Sequence, residues 1–478
     1  MMFALSILIP LLVGILAFHL FFKGASTIYS RFLFNLSLPI GIGISTAFFI
    51  SLNLIGIPYW IIFILETGLL IFLILRYKRE QSRTGKKINY TFDKFNSATS
   101  ISNIVLLLAA VLYLYSWITD VGIFYFNSVQ SPHGLWDAWS CWNLIAKFIS
   151  RAPDNWPQML HQMNAIDFHP DYPLLQRGFI AKSWLLSGNE SVWIPIASAF
   201  IFTFCTIGLL SSSVSLFNTK TEGLIAGLIL LCTPFFMVMG HSQYADNTVG
   251  YFYLATVVLL TLARRGATIK PNLFIAAGLT AGMAAWSKNE GLLFIVCLFA
   301  SQSIRIFFQD RISLMNELKY VLLGMLPFLL LIAYQKLIIA PPNQIISAQG
   351  SETFSKLTDF SRYEIVWHWF VKQFSTFGKW AINPWWLFLA GILFKGINIK
   401  ENNYSFVSNF TLFFLMLTGF FFVEIVTPLG LVYYLSTSVH RLFFQLFPTF
   451  IFIYFLAING KSGSQYNLSE YILKKAKK

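Results

Sequence analysis

Long apolar segments recur along the chain and constrain its fold more than any other feature. A helix that crosses a membrane needs about 20 mostly apolar residues, and about thirteen segments of this 478-residue sequence approach that length. Hydrophobic residues make up 56% of the chain and charged residues 11%, far from the composition of a soluble domain. The sequence therefore predicts an all-α, polytopic transmembrane helical bundle of about thirteen spans.

The predicted spans follow the apolar runs, with boundaries good to a few residues. They lie near residues 3–22, 32–54, 57–76, 103–120, 192–214, 222–240, 247–264, 271–287, 290–307, 318–338, 382–398, 406–427 and 443–459.

The charged residues predict the orientation of these spans. The formal net charge is +14, but the basic residues punctuate apolar runs, which argues against a nucleic-acid-binding surface. Cytoplasmic loops of membrane proteins carry the excess of Lys and Arg, so we place residues 77–102 and the basic C-terminal tail inside. Most acidic residues then fall outside, together with two long loops, 121–191 and 339–381.

The same pattern suggests three parts. Residues 1–102 are predicted to hold additional transmembrane helices and a basic cytoplasmic linker. Residues 103–338 are predicted to form the transmembrane core with the outer loop 121–191. Residues 339–478 are predicted to hold the second outer loop, the C-terminal spans and a basic tail. We find no glycine-rich nucleotide-binding loop, so ATP is not expected to drive the reaction.

The first outer loop opens with an acidic residue among tryptophans, Leu135-Trp136-Asp137-Ala138-Trp139-Ser140-Cys141-Trp142. A carboxylate among indoles at a membrane surface suits a general base or a metal ligand. A solvated Asp flanked by Trp anchors is an equally good interpretation. The spacing of Trp139, Trp142, Ile145 and Ile149 predicts a helix that lies in the membrane interface.

Polar residues also stand at four other places near the predicted outer surface. In the segment Asp167-Phe168-His169-Pro170-Asp171-Tyr172-Pro173, the prolines favour an extended turn. His169, Asp171 and Tyr172 could contact a substrate or a metal there, or could simply face water.

His241 and Asp246 flank a tight hairpin between two predicted spans. With Asp137 they could converge on one divalent cation, although Asp246 could instead cap a helix.

Charged residues at two later span junctions could bind phosphate. Lys288 and Glu290 lie between apolar runs, where charges are costly, and they form either a phosphate site or a simple ion pair. Arg441, which follows His440, is the one basic residue of the last predicted outer loop. Its guanidinium fits phosphate oxygens, and lipid headgroups are the alternative ligand.

In their order along the chain, these features resemble the GT-C superfamily of polytopic glycosyltransferases. The matching positions are the early acidic residue Asp137, the segment Asp171-Tyr172-Pro173-Leu174, the hairpin residue Asp246, the motif Lys288-Asn289-Glu290-Gly291, and Arg441 before a span that contains Pro448. The most similar members are bacterial relatives of protein O-mannosyltransferases and lipid A aminoarabinose transferases. Protein O-mannosyltransferases typically have an Asp-Glu pair where this chain has Asp137-Ala138.

The resemblance implies transfer of a sugar from a polyprenyl-phosphate donor to a glycan, lipid or protein acceptor. Asp137 would be the general base, and the configuration would be inverted. Asp246 and His241 would be candidate ligands of a divalent cation. The substrate-binding candidates are Trp136, Trp139, His169, Asp171, Tyr172, Lys288, Glu290, His440 and Arg441.

The expected location is the bacterial inner membrane, with the site facing the periplasm. Two other functions fit the sequence. One is a lipid or glycan transporter or flippase, and the other is a glycan polymerase or ligase that uses lipid-diphosphate donors.

Overall fold

A computed structural model describes residues 2–22, 27–84, 100–163, 168–265, 270–304, 311–341, 350–380, 383–397 and 403–458. All regular secondary structure in these ranges is helical, which confirms the predicted all-α class. The cytoplasmic linker and the C-terminal tail predicted from charge lie largely outside the described residues, at 85–99 and 459–478.

Nineteen α-helices follow one another along the described chain. They are α1 (Met2–Phe21), α2 (Thr27–Leu54), α3 (Tyr59–Thr84), α4 (Ser100–Gln130), α5 (Asn143–Arg151), α6 (Trp156–Gln162), α7 (Leu175–Ser187), α8 (Trp193–Phe217), α9 (Lys220–Leu231), α10 (Pro234–His241), α11 (Ala245–Ala263), α12 (Pro271–Ser287), α13 (Glu290–Ile304), α14 (Arg311–Tyr334), α15 (Gly350–Thr358), α16 (Phe360–Thr376), α17 (Trp385–Lys395), α18 (Asn403–Ile425) and α19 (Leu431–Ala457). Short π-helical turns precede α5 and follow α14.

Fewer than thirteen helices of the described chain have the length and composition of a membrane span. Within the described ranges, nine helices are long and apolar enough to cross a membrane, or ten if α9 and α10 form one broken span. Pro234 begins α10 after a 68° bend, because proline cannot continue the hydrogen bonding of the preceding helix. Helices α12, α13 and α17 occupy predicted spans but have 17, 15 and 11 residues. The predicted count is therefore not confirmed.

Helix α11 lies at the centre of the bundle. All of its 19 residues are buried, and it packs against α8, α12 and α19. A helix that is apolar on every side suits such a position. Its first turn contains Asp246, so the centre of the bundle carries a carboxylate at one end.

Glycines let α12 and α14 cross closely. A side chain at Gly278 would collide with the backbone of Val321, and one at Gly324 with the backbone of Ile275. Small residues at helix crossings are typical of membrane proteins, where close backbone packing replaces the hydrophobic effect. The C-terminal ends of both helices consequently lie near the same polar region, described below.

The N-terminal helices share one apolar core with the rest of the described chain. Helix α2 packs against α7 and α8. The Lys182 ammonium of α7 donates to the Glu66 carboxylate of α3 at 2.7 and 2.8 Å, and also to Ser45 of α2. These three side chains are buried. The three predicted parts remain a prediction, but α1–α3 are packed as an integral layer of the bundle.

A hydrogen bond joins this layer to the loop that follows α4. The buried indole of Trp156 donates to Asn53 Oδ1 at 2.6 Å. We expect Asn53→Ala to lower the free energy of unfolding by about 1–3 kcal/mol, because a buried N–H is left unpaired. Unfolding in mixed micelles measures the change. Asn155→Ala, on the exposed side of the same loop, is the control, and equal losses in both variants would contradict the assignment.

The helix predicted from Trp139 to Ile149 is present, but its apolar face does not contact lipid. Trp142, Ile145 and Ile149 are fully buried, and α5 packs against α7. Trp139 alone of the predicted face remains exposed. Three of the four residues of this face are therefore covered by protein, because α7 supplies an apolar partner that the sequence pattern does not identify. The position of the helix in the membrane interface stays a prediction.

Candidate functional site

Charged side chains from four distant segments meet at one end of the bundle. Asp246 lies in the first turn of α11, Lys288 and Glu290 at the junction of α12 and α13, and Arg441 in α19. Asp137 precedes the π-helical turn before α5. Most of these residues lie at or near the end of a helix, whereas Arg441 lies within α19. The site is therefore assembled where the helices converge.

Arg441 links the two aspartates. Its Nη1 donates to Asp137 Oδ2 at 2.6 Å, and its Nη2 donates to Asp246 Oδ2 at 2.7 Å. Its Nε also reaches Asp246 Oδ2, at 3.3 Å. The guanidinium lies over the Tyr244 ring, 4.6 Å from the centroid, within the range of a cation–π contact. The two aspartates hold the edges of the guanidinium, and the Tyr244 ring covers one of its faces.

Asp246 is the most deeply enclosed member of the network. Its side chain is 0% exposed, and its Oδ1 accepts from Lys288 Nζ at 2.9 Å and from Gln445 Nε2 at 2.7 Å. Lys288 also contacts Glu290 Oε1 at 2.6 Å. A buried carboxylate is stable only when its oxygens are paired, and here both oxygens of Asp246 are.

Asp137 is the accessible member of the network. Its side chain is 33% exposed, and its backbone N–H donates to the Tyr244 hydroxyl at 3.2 Å. Burial raises the pKa of Tyr244 to about 12, so the phenol stays protonated at neutral pH. Within the described chain, no donor lies within hydrogen-bond distance of Asp137 Oδ1. This carboxylate is therefore held by one oxygen and presents the other outward.

The predicted cation ligands do not fit a divalent metal in this arrangement. Both Asp246 oxygens accept from cationic or amide N–H groups. The His241 Nδ1 instead lies 3.1 Å from the carbonyl of Met237 in its own helix. No group of three potential ligands occurs among the described residues. A guanidinium and an ammonium occupy the positions that a cation would need.

A second polar cluster surrounds Asp171, beside the first. Asn289, between Lys288 and Glu290, donates to Asp171 Oδ2 at 3.0 Å. Lys336, in the π-helical turn after α14, donates to Asn289 Oδ1 at 2.7 Å and to the backbone carbonyl of Asp171 at 2.5 Å. The close crossing of α12 and α14 brings these residues together. Asn289 and Lys288 are sequence neighbours, so the two clusters are rigidly connected.

Aromatic rings and one buried arginine form the adjoining wall. Tyr172 stacks between His169 and Trp142, with centroid distances of 4.8 and 5.4 Å. The Arg177 guanidinium lies 4.8 Å from the Trp142 ring centroid and donates to Cys141 Sγ at 2.7 Å. Burial raises the pKa of the Tyr172 phenol. This wall therefore combines the apolar surface of aromatic rings with the positive charge of Arg177.

Protonation of His169 is expected to make the stability of the protein depend on pH. Burial lowers the pKa of His169 below its ordinary value of 6.5. The folded state then binds the proton less readily than the unfolded state, so the stability present above pH 6.5 falls as the pH drops toward the lowered value. We expect His169→Asn to reduce this acid-side loss, measured as the melting temperature against pH. Asparagine tolerates the positive φ of 44° at this position. An unchanged profile would exclude His169 as the titrating group.

The structure does not bring all predicted site residues together. His241 bonds within α10. His440 packs edge-on against Phe235, with ring centroids 5.4 Å apart, although it neighbours Arg441. Trp136 and Trp139 are exposed and contact each other at 4.5 Å. Asp137, Asp246, Lys288, Glu290 and Arg441 form one network, and His169, Asp171 and Tyr172 adjoin it.

Sequence reasoning missed several partners that complete the site. Five residues that were not predicted contact predicted site residues, namely Tyr244, Asn289, Lys336, Arg177 and Gln445. Asn289 lies inside a motif that was singled out, and Gln445 follows Arg441 by one helical turn, so both could have been found. Lys336 and Arg177 carry intramembrane or buried charge, which is itself a signal.

One comparison with known proteins finds a family model that matches part of the chain. Residues 171–334 match the family model described as "Dolichyl-phosphate-mannose-protein mannosyltransferase", a GT-C superfamily domain. No curated protein and no solved structure matches the chain. The matched segment contains Asp171, Asp246, Lys288 and Glu290, whereas Asp137 and Arg441 lie outside it. A model of a GT-C superfamily domain therefore covers residues 171–334 of this multi-pass membrane protein, and this similarity suggests a membrane glycosyltransferase.

Proposed function

We propose that this protein transfers a sugar from a polyprenyl-phosphate carrier to an acceptor hydroxyl, with inversion at the anomeric carbon. Asp137 is the general base. The site faces the outer side of the membrane, which in a bacterial cell is the periplasmic face of the inner membrane. The excess of basic residues on the opposite side supports this orientation.

One observation carries the proposal. An accessible carboxylate, Asp137, is joined through Arg441 to Asp246 and Lys288, which lie in the segment that matches the glycosyltransferase family. A partly exposed proton acceptor next to fixed cations suits a reaction in which a hydroxyl loses a proton while a phosphate departs.

Arg441 and Lys288 each have N–H groups that remain free to donate hydrogen bonds to a phosphate. A guanidinium has five N–H donors, and Arg441 uses three of them on the two aspartates. An ammonium has three donors, and the partners of Lys288 among the residues that the structure describes are Asp246 and Glu290. The unused N–H groups could donate to phosphate oxygens without breaking the network, and so position the leaving group.

The reaction then balances at named atoms. The acceptor oxygen forms a bond to the anomeric carbon as the bond from that carbon to the carrier phosphate oxygen breaks. The acceptor proton moves to Asp137 Oδ1, the oxygen that Arg441 does not hold. The bonding electrons leave with the phosphate, which needs no proton because it is already a stable anion. Attack opposite the leaving group inverts the configuration.

A transfer assay tests the proposal. The purified protein is offered radiolabelled polyprenyl-monophosphate sugars or, in parallel, polyprenyl-diphosphate glycans, each with glycan, lipid and peptide acceptors, and the anomeric configuration of the product is read by NMR. The expected result is labelled acceptor with inverted configuration. Transfer from diphosphate donors alone would indicate a glycan polymerase instead. Movement of the labelled lipid across liposomes without transfer would indicate a flippase.

A further inference from the structure

Gln243 lies in the tight turn between α10 and α11 and has an uncommon backbone conformation. Its φ is 63°, in the left-handed region that residues other than glycine rarely adopt. The residue is 1% exposed. Strained backbone of this kind persists only where the surrounding contacts hold it, and it is concentrated at functional sites. The mechanism above gives Gln243 no role, although only two residues separate it from Asp246.

The Gln243 side-chain amide joins the two ends of the segment that carries Asp137, residues 132–143. Its Nε2 donates to the Pro132 carbonyl at 3.1 Å, and its Oε1 accepts from Asn143 Nδ2 at 2.8 Å. The two partners differ in chemistry, one being an acceptor and the other a donor, so both ends of the amide are satisfied. One buried side chain therefore bridges the start and the end of the Asp137 segment.

The two neighbours of Gln243 contact the middle of the same segment. The Leu135 N–H donates to the Ser242 carbonyl at 3.1 Å, and the Asp137 N–H donates to the Tyr244 hydroxyl at 3.2 Å. Three consecutive turn residues thus hold the backbone before, at and after Asp137. The position of this aspartate is set by the turn as well as by the contact of its side chain with Arg441.

Helix α7 holds the turn itself in place. Gln176, in the first turn of α7, donates from Nε2 to the Gln243 carbonyl at 2.6 Å. Its Oε1 accepts from the Thr248 hydroxyl of α11 at 3.3 Å. Gln176 is 4% exposed, so water does not compete for these contacts. The left-handed residue is therefore supported by protein through its backbone and through its side chain.

We propose that Gln243 is a positioning residue for Asp137, whose amide keeps Asp137 Oδ1 in the place where the acceptor hydroxyl must lose its proton. This inference rests on the proposed transferase function. The turn leads directly into α11, whose first turn contains Asp246, so the two aspartates share one support. Gln243 acts through Asp137. A displacement of about 1 Å in a reacting group can cost about 10²-fold in rate.

Transfer kinetics of Gln243→Met test the proposal. Methionine is of similar length, but its thioether cannot donate to Pro132 and is only a weak acceptor for Asn143. We expect kcat to fall about 10–100-fold. The KM for the donor should change less than about twofold, because Lys288 and Arg441 keep their own partners.

Gln302→Met is the matched control. Gln302 is 3% exposed, accepts from Arg264 at 2.6 Å and donates to Ser408 at 2.8 Å, so its replacement also removes buried hydrogen bonds. It lies in the last turn of α13, at the opposite end of that helix from Glu290. The variant should lose stability, but its kcat should stay within about twofold of wild type. Equal losses of kcat in the two methionine variants would overturn the inference.

Gln243→Asn separates the backbone conformation from the role of the amide. Asparagine adopts the left-handed region more readily than most residues, but it is one methylene shorter and cannot reach Pro132 and Asn143 together. This variant should be more stable than Gln243→Met and still lower kcat at least about fivefold. It decides the question if Gln243→Met does not fold, and an undiminished kcat in the folded variant would overturn the inference.

Hydrogen–deuterium exchange supplies a readout that does not need the reaction. In nanodiscs without substrate, the amides of residues 135–142 should exchange at least about tenfold faster in the Gln243 variants than in wild type, and Gln302→Met should match wild type. Unchanged exchange would overturn the inference, as would faster exchange with undiminished kcat. A wild-type protein that transfers no sugar would refute the proposed reaction, whereas the exchange rates would still decide whether Gln243 holds the segment.

Discussion

Replacing Asp246 by asparagine is expected to lower the free energy of unfolding by about 3–5 kcal/mol, because it leaves the buried Lys288 and the largely buried Arg441 without their shared carboxylate. Asp246 accepts from both Arg441 and Lys288 and is 0% exposed. An asparagine keeps the shape of the side chain but not the charge. The loss should therefore arise from electrostatics and not from a cavity. Chemical unfolding in mixed micelles measures the difference.

An exposed ion pair provides the control for this prediction. Glu352 pairs with Lys356 at 3.5 Å, and its side chain is 68% exposed. Exposed pairs contribute little because water screens them, so Glu352→Gln should leave the unfolding free energy nearly unchanged. Similar effects in the two variants would mean that the Asp246 network does not stabilise the bundle.

Replacing Asp137 by asparagine is expected to reduce sugar transfer by about 10²–10⁴-fold, the usual contribution of a general base. The amide has nearly the same shape as the carboxylate but cannot accept the acceptor proton. Arg441 retains Asp246 as its partner, and Asp137 is partly exposed. The unfolding free energy should therefore fall less than it does for Asp246→Asn. Initial rates of transfer at saturating donor measure the effect.

The contrast between rate and stability separates the roles of the two aspartates. Asp154→Asn, an exposed position in the same loop, is the matched control and should retain the wild-type rate. Undiminished transfer by Asp137→Asn would remove Asp137 as the base. A loss of transfer that only parallels a loss of folded protein would indicate a structural role instead.

The network also explains why the phosphate-binding interpretation of single residues was incomplete. Lys288 and Arg441 were expected to face a phosphate, with a simple ion pair or a lipid contact as the alternative. In the structure each is paired with carboxylates, yet each retains unused donors. A buried cation needs a permanent counter-charge, so pairing and ligand binding are compatible functions of the same side chain.

Some features of this protein could be read from local sequence alone. Apolar length determines the membrane-spanning class, because lipid supplies no partners for an unpaired backbone. The costly charges Asp246, Lys288 and Arg441 stand out against apolar surroundings for the same reason, and the tertiary structure joins them. Pro234 marks the break between α9 and α10 through its missing N–H.

Other features are decided only by the tertiary structure. The burial of Trp142, Ile145 and Ile149 depends on α7, and the pairing of Lys336 with Asp171 depends on the close crossing of α12 and α14. The Asn143 side-chain amide donates to Gln243, a hundred residues away in sequence. Apolar periodicity predicts that one face of a helix is shielded from water, but it does not indicate whether lipid or protein covers that face. That choice is made by packing between distant segments, and it decides which polar groups are left to bind a substrate.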